Sequence, residues 1–124
     1  MNPLESDECK VFHRWLKLKN IPHTHIANES GGNTQQARIR GMKMKQMGTA
    51  KGVWDYEIFV PIKGITGNVD AYQQIKIEMK RRKGNKPTPE QKEWGDIYEK
   101  AGIPCKVCYG ADDAIEFVSS FCYN

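Results

Sequence analysis

Two stretches of the chain alternate apolar and polar residues. In "KGVWDYEIFVPI", residues 51 to 62, apolar side chains occupy every second position from Trp54 to Ile62. In "QIKIEMKRRKG", residues 74 to 84, apolar residues alternate with Lys76, Glu78 and Lys80. A period of two is typical of β-strands. The turn-like "KGITGNVDA" between the two stretches predicts that these strands pair as antiparallel neighbours.

Two other stretches have the spacing of amphipathic helices. In "ESDECKVFHRWLKLKN", residues 5 to 20, Glu8 falls in line with Phe12 and Trp15 on the apolar side of the predicted helix. The stretch "TPEQKEWGDIYEKAG", residues 88 to 102, starts with a proline at the first helical position and a capping box formed by Thr88 and Gln91. The apolar stripes consist of Val11, Phe12, Trp15 and Leu16 in the first helix, and of Trp94, Ile97, Tyr98 and Ala101 in the second.

Shorter patterns complete the predicted fold. We expect an extended strand in "IPHTHIAN", a short basic helix in "IRGMKMKQMG", a strand in "IPCKVCY" and a final helix in "DDAIEFVSSF". The main elements then follow the order helix, strand, strand, strand, helix, strand, helix. This order predicts an α/β fold class, of the α+β kind, with one mixed sheet flanked by helices. Residues 1–124 are enough for a single domain.

Hydropathy and cysteine spacing narrow the class of protein. No apolar run approaches the length that spans a bilayer, and the N-terminus lacks a signal-peptide pattern, so we expect a cytoplasmic protein with no membrane partner. Cys105 and Cys108 have the spacing of zinc ligands. However, an odd offset on a strand places them on opposite faces. We therefore expect buried free thiols at Cys9, Cys105, Cys108 and Cys122.

The basic residues are unevenly distributed. The net charge is only +4, but residues 38 to 51 contain five basic residues and no acid, and residues 80 to 86 contain five more and no acid. Two such blocks indicate a polyanionic partner, with nucleic acid first. The alternative is that each block is a solvated surface.

A possible site follows from the two antiparallel strands. Asp55 on the first strand can lie beside Glu78 on the second, and the two carboxylates can then hold a divalent cation such as Mg²⁺. Lys80 projects from the same face as Glu78, about 6.5–7 Å further along the strand. Glu8 is costly to bury as an anion unless a cationic partner compensates it. The alternatives are a solvated ion pair between Glu78 and Lys80, and a helix N-terminal acid at Glu8.

In combination, these motifs resemble the VRR-NUC domain. The resemblance covers residues 5 to 118 and is carried by the stretches "GMKMKQMGTAKGVWD", "QQIKIEMKRRKG" and "PTPEQKEWGDIYEKAG". Its most specific parts are the lead-in Gly48, Gly52 and Asp55, the pair Glu78 and Lys80, and the run ending at Gln91. The resemblance implies a restriction-endonuclease-like αβββαβ core. One departure is Trp54, which stands where the family usually has a proline before the aspartate.

The resemblance also implies roles for individual residues. Asp55 and Glu78 match the family's metal ligands, joined by the main-chain carbonyl of Met79, and Lys80 matches the catalytic lysine. Glu8 matches the acid of the first helix, although Glu5 has nearly the same orientation. Gln91 matches the glutamine that opens the helix after the catalytic strand, or it is only a capping residue. The residues expected to bind DNA phosphates are Arg38, Lys43, Lys45, Lys51, Arg81, Arg82 and Lys83.

The implied activity is that of a Mg²⁺- or Mn²⁺-dependent endodeoxyribonuclease. Small stand-alone members resemble virus-encoded homodimeric enzymes that resolve branched DNA such as Holliday junctions, which would place this chain in the cytoplasm of a bacterial host. Three alternatives stay open: a nuclease for flaps or single strands, a nucleic-acid-binding protein without catalysis, and a zinc-structured module.

Overall fold

The computed structural model describes residues 5–26, 35–48, 50–81 and 85–122, which form one sheet with helices on both faces. The predicted fold class is confirmed. The short basic helix predicted in "IRGMKMKQMG" is also observed, between the first two strands in chain order. In chain order the elements are α1 (Glu5–Leu18), β1 (His23–His25), α2 (Gln35–Gln46), β2 (Tyr56–Lys63), β3 (Val69–Lys80), α3 (Pro89–Lys100), β4 (Cys105–Tyr109) and α4 (Ala111–Ser119).

The sheet is mixed and has the strand order β1-β2-β3-β4. The first three strands are antiparallel neighbours, and β4 runs parallel to β3. Tyr56 pairs with Ile77 across β2 and β3, so the residue before Tyr56 lies next to Glu78. β3 is longer than its alternating pattern indicates, because it already starts at Val69, directly after the turn. The register therefore brings the two predicted strand acids to the same place in the sheet.

One face of the sheet forms the apolar core with α1 and α4. The alternating residues of β2 and β3 are buried there, as their pattern predicts. Phe12 and Leu16 of α1 pack against this cluster. Val11 was predicted to belong to the stripe but is exposed, since it lies 100° around the helix from Phe12. The sheet contributes Tyr56, Ile58, Val60, Ile75, Ile77, Met79 and Cys108 to the core, and α4 contributes Ala111, Ala114 and Val118.

The other face of the sheet lies beneath α3. This helix begins with the predicted capping box of Thr88 and Gln91. Gly95 of α3 allows the Trp54 ring to approach the helix, since a Cβ at Gly95 would lie 2.8 Å from a ring carbon of Trp54. As a result the polar face of β3 is not solvated: Lys76 is 5% exposed and Glu78 is 2% exposed.

The loop that leads into β2 is fixed to the start of α3. Gly52 has a positive φ of 86°, and a Cβ there would lie 2.5 Å from the Cβ of Glu90 and 2.9 Å from the backbone nitrogen of Gln91. Only glycine fits this close approach. The carbonyl of Lys51 accepts a hydrogen bond from the Trp94 indole at 3.1 Å. The segment just before Asp55 is therefore anchored to α3.

All four cysteines are free thiols. Cys105 contacts the carbonyl of Gly95 on the α3 side, whereas Cys108 is buried in the core on the opposite side, as the strand offset predicts. Burial raises the pKa of the Cys108 thiol to about 12. The expectation of buried thiols is confirmed for Cys108; Cys9 and Cys105 are half-buried, and Cys122 is exposed just beyond the end of α4.

Neither a metal-binding cluster nor a membrane-spanning helix is found in residues 5–26, 35–48, 50–81 and 85–122. Within them, no three or more His, Cys, Asp or Glu side chains come together as a group that could hold a metal ion. No helix in the same part of the chain is both long and apolar enough to cross a bilayer.

Gly52→Ala is expected to destabilise the protein much more than Gly48→Ala. Both glycines have a positive φ, 86° at Gly52 and 94° at Gly48, so both substitutions cost about 1–2 kcal/mol of backbone strain. Only at Gly52 does the new methyl group also meet the α3 backbone, which adds about 1–3 kcal/mol. Urea denaturation of both variants measures the difference. Equal losses in the free energy of unfolding would contradict the docking of this loop on α3.

Candidate active site

Asp55 and Glu78 are joined by a crossed pair of hydrogen bonds. The backbone N–H of Asp55 donates to Oε1 of Glu78 at 3.1 Å, and the backbone N–H of Met79 donates to Oδ2 of Asp55 at 3.1 Å. Each carboxylate is thus held by the backbone of the other strand segment. The predicted proximity of the two acids is observed.

The second oxygen of Glu78 is held by two further side chains. Gln91 donates from its amide nitrogen to Oε2 of Glu78 at 2.9 Å, and the Lys80 ammonium lies 3.4 Å from the same oxygen. The amide oxygen of Gln91 meanwhile accepts from the backbone N–H of Thr88 at 2.9 Å. Gln91 therefore acts both as a capping residue and as a partner of Glu78. The two interpretations of its sequence motif are compatible.

Trp54 fixes the backbone immediately before Asp55. Its indole N–H donates to the main-chain carbonyl of Gln91 at 2.8 Å, and its backbone N–H donates to the Tyr98 hydroxyl at 3.4 Å. The Trp54 and Tyr98 rings also meet edge to face, with centroids 5.4 Å apart. The family that the sequence resembles usually has proline at this position. This chain instead has the buried aromatic residue Trp54, which contacts α3 at three points.

The two carboxyls are short of compensating positive charge. Burial, followed by the nearby Asp55 charge, raises the pKa of Glu78 to about 7, although Lys80 acts in the opposite direction. Burial also raises the pKa of Asp55, against the lowering effects of the Met79 N–H, His25 and Lys80. Two adjacent carboxylates, one buried and one half-buried, with one lysine beside them resist full ionisation. A bound cation would relieve this repulsion.

The donor set fits a hard divalent cation. Mg²⁺ and Mn²⁺ bind carboxylate and carbonyl oxygens, and Mg²⁺ sites commonly use one or two carboxylates together with waters and substrate phosphates. Asp55 and Glu78 provide the carboxylates, and Met79, between Glu78 and Lys80 on β3, provides a neighbouring main-chain carbonyl. Each carboxylate oxygen has about two lone pairs, so a hydrogen-bonded oxygen can still act as a ligand.

Glu8 is held at the start of α4. It is buried, and its Oε2 accepts a short hydrogen bond from the backbone N–H of Ala111, at the N-terminus of α4. A helix N-terminus stabilises an anion, so α4 supplies the partner that burial of Glu8 requires. No described cluster unites Glu8 with Asp55 and Glu78. The side chain of Glu5 lies outside what the structure describes.

The residues predicted to bind DNA occupy two regions. Arg38 and Lys43 are exposed on α2, and Lys51 is exposed with its ammonium 3.9 Å from Glu90. Arg81 is half-buried directly after β3. The side chain of Lys45, and all of Arg82 and Lys83, lie outside the described residues.

His25 and Tyr98 lie near the site but were not assigned to it from the sequence. His25 pairs with Tyr56 in the sheet, and its charge lowers the pKa of Asp55. Tyr98 was predicted only as a stripe residue, but its hydroxyl contacts Trp54, and its ring lies 5.2 Å from the Lys76 ammonium. The alternation of His23 and His25 shows that they share a side, but it does not reveal that β1 borders β2.

Without a divalent cation, the free energy of unfolding is expected to fall as the pH rises from about 4.5 to about 7. The folded state holds the Glu78 proton up to about pH 7, whereas the unfolded chain releases it near 4.5, so stability is lost as the pH rises through this window. The loss attributable to Glu78 is at most on the order of 3 kcal/mol.

Urea denaturation in EDTA at several pH values measures this effect for the wild type and for Glu78→Gln. The variant should show a shallower pH dependence, whatever its absolute stability. Glu93→Gln, at an exposed position of α3, is the matched control and should follow the wild type. Parallel curves for the wild type and Glu78→Gln would contradict the raised pKa.

Comparison with known proteins supplies the remaining observation. No family model and no curated protein matches the chain. Among solved structures, the chain is similar to one described as a "VRR_NUC domain protein", with a TM-score of 0.69 and 23% sequence identity over 96% of this chain and 88% of that one. At this identity the likeness shows the fold. The predicted architecture is thereby confirmed: this chain has the fold of a VRR_NUC domain protein.

Proposed function

We propose that this chain is a metal-dependent DNA endonuclease that hydrolyses phosphodiester bonds. The observation that carries the proposal is the pair of the half-buried Asp55 and the buried Glu78, which are joined through backbone hydrogen bonds and adjoin Lys80. Strongly perturbed carboxyls that lie together in a fold are candidates for a functional site. The likeness to a VRR_NUC domain protein supports a nuclease over other uses of such a site.

Asp55, Glu78 and the main-chain carbonyl of Met79 would hold Mg²⁺ or Mn²⁺. When bound, such an ion stabilises the negative charge that develops on phosphate oxygens and activates water. The protein's own contribution is to keep both carboxylates in place before the ion arrives. The crossed backbone hydrogen bonds and the Gln91 amide do so.

Lys80 is the residue that would face the reacting phosphate. Its ammonium lies 3.4 Å from Glu78 and is mostly shielded from solvent. A positive charge fixed in a partly dry site stabilises developing negative charge better than a solvated one. Lys80 can also donate a hydrogen bond to a water and so orient it. The contact with Glu78 holds the Lys80 ammonium in place.

The basic residues would hold flanking phosphates. Arg38, Lys43 and Lys51 are exposed before β2, and Arg81 follows β3 directly. Contacts of this kind provide affinity and register with little sequence information. We infer that recognition depends on DNA shape, with branched DNA such as a four-way junction as the preferred class. A homodimer would present two sites related by a two-fold axis to two strands.

Asp55→Asn and Lys80→Ala are each expected to lower the cleavage rate by at least about 100-fold. Asp55→Asn removes a ligand charge, and Lys80→Ala removes the fixed ammonium. The measurement is cleavage of end-labelled four-way junction, flap, single-strand and duplex DNA with Mg²⁺ at equal salt. Asp7→Asn and Lys63→Ala, both at exposed positions, serve as matched controls. Undiminished cutting by both site variants would refute the assignment, and a preference for flaps or single strands would replace the junction.

Mn²⁺ is expected to raise the melting temperature of the wild-type protein by roughly 10 °C at about 100 times its Kd. At one fixed Mn²⁺ concentration, the rise in melting temperature should be larger above pH 7 than below, since the Glu78 carboxyl must lose its proton to bind the ion. Asp55→Asn should abolish it, and Asp7→Asn should not. Thermal unfolding followed by circular dichroism measures both. An unchanged rise in Asp55→Asn would mean that the ion binds elsewhere.

A further inference from the structure

Helix α2 combines exposed apolar side chains with a basic surface. Ile39 is 45% exposed, Met42 is 62% exposed and Met47, one residue beyond the helix, is 78% exposed. Among the described elements, α2 makes no extensive contact with another helix or strand. Large apolar side chains that remain in water on such a helix are available to a partner.

The arrangement around the helix is specific. At 100° per residue, Ile39 and Met42 lie within 60° of each other, whereas Arg38 and Arg40 lie 100° to either side of Ile39. Lys43 lies about 40° from Ile39 around the helix, in the direction of Arg40. An apolar pair is thus bordered by cations on both flanks.

This pattern argues against two other occupants. A second copy of α2 would place basic side chains against each other, since residues 38 to 51 contain five basic residues and no acid. A membrane surface requires a broad apolar face. The apolar pair of α2 instead shares its side of the helix with Gln35 and Gln46. A polyanion that also carries flat apolar surfaces fits both features.

Only a short segment of chain separates the end of α2 from the loop before the candidate active site. From Gln46, the last residue of α2, only five residues lead to Lys51, whose carbonyl is bound by the Trp94 indole of α3. Five residues span at most about 18 Å. The end of α2 therefore lies within about 18 Å of Lys51, in the loop that leads to Asp55.

We propose that α2 binds DNA with unpaired or unstacked bases. Ile39 and Met42 contact the exposed faces of the bases, and Arg38, Arg40 and Lys43 bind the phosphates on either side. Apolar side chains on DNA-binding elements insert at unstacked base steps in this way. The inference deepens the proposed function, on which it rests for DNA as the substrate, and it names a distortion of the duplex as the feature that is recognised.

The test is equilibrium binding in EDTA, so that cleavage plays no part. Fluorescence anisotropy gives the Kd of the full chain for a labelled duplex and for the same duplex with a bulge of unpaired thymines. The variant Ile39→Ser/Met42→Ser removes the apolar pair and keeps every charge. Ile65→Ser, at a fully exposed position of the turn between β2 and β3, is the matched control. Ile39→Leu/Met42→Leu retains apolar surface and should restore binding.

The serine variant is expected to bind bulged DNA about 10-fold more weakly, which corresponds to the loss of one base contact, with paired duplex affinity unchanged within about twofold. A 2-aminopurine opposite the bulge should brighten when the wild type binds and not when the variant does. Arg40→Gln should weaken both DNAs equally.

Equal loss on both DNAs, no loss on either, or binding of the wild type to anionic vesicles without a preference for the bulge would each overturn the proposal. The outcome is separable from that of the nuclease assay. If the wild type prefers bulged DNA in EDTA but does not cleave DNA, only the proposed nuclease activity is refuted. If the serine substitutions do not change the cleavage of DNA by the protein, only the role of α2 is refuted.

Discussion

The structure depends on the burial of one carboxylate. Glu78 lies near the C-terminal end of β3, beneath α3, where water cannot stabilise its charge. Burial and the adjacent Asp55 raise its pKa to about 7, and a single lysine beside it does not offset both. Burial of such a carboxylate costs folding free energy, and carboxylates with strongly shifted pKa values cluster at functional sites. The cost is understandable if the pair of carboxylates exists to take up a cation.

Helix α3 links the fold to the candidate site. Its capping residue Gln91 satisfies the helix start with one end of its amide and Glu78 with the other. Its Gly95 admits Trp54, whose indole returns a hydrogen bond to the Gln91 carbonyl. The same helix therefore covers the polar face of the sheet, positions Glu78 and fixes the backbone before Asp55. A displacement of α3 would disturb all three together.

Local patterns predicted much of this arrangement, and long-range packing decided the rest. The alternation of Ile75, Ile77 and Met79 and the capping box at Thr88 depend on neighbouring residues, and both are found as predicted. Alternation and the connecting turn together indicated that Asp55 can lie beside Glu78, although neither fixed the register of the two strands. It could not show that α3 would bury the polar face, or that Glu8 would meet the N-terminus of α4. Those contacts join elements that are far apart in the chain, and the spacing of apolar and polar residues within one element does not predict them.

Our main proposal is that Asp55 and Glu78 share one divalent cation. Its most direct test is a crystal grown with Mn²⁺ and measured at the manganese absorption edge. The account predicts an anomalous peak within roughly 2.0–2.5 Å of a carboxylate oxygen of each residue. A peak that touches neither residue, or two carboxylates pointing to different sides of the sheet, would contradict it.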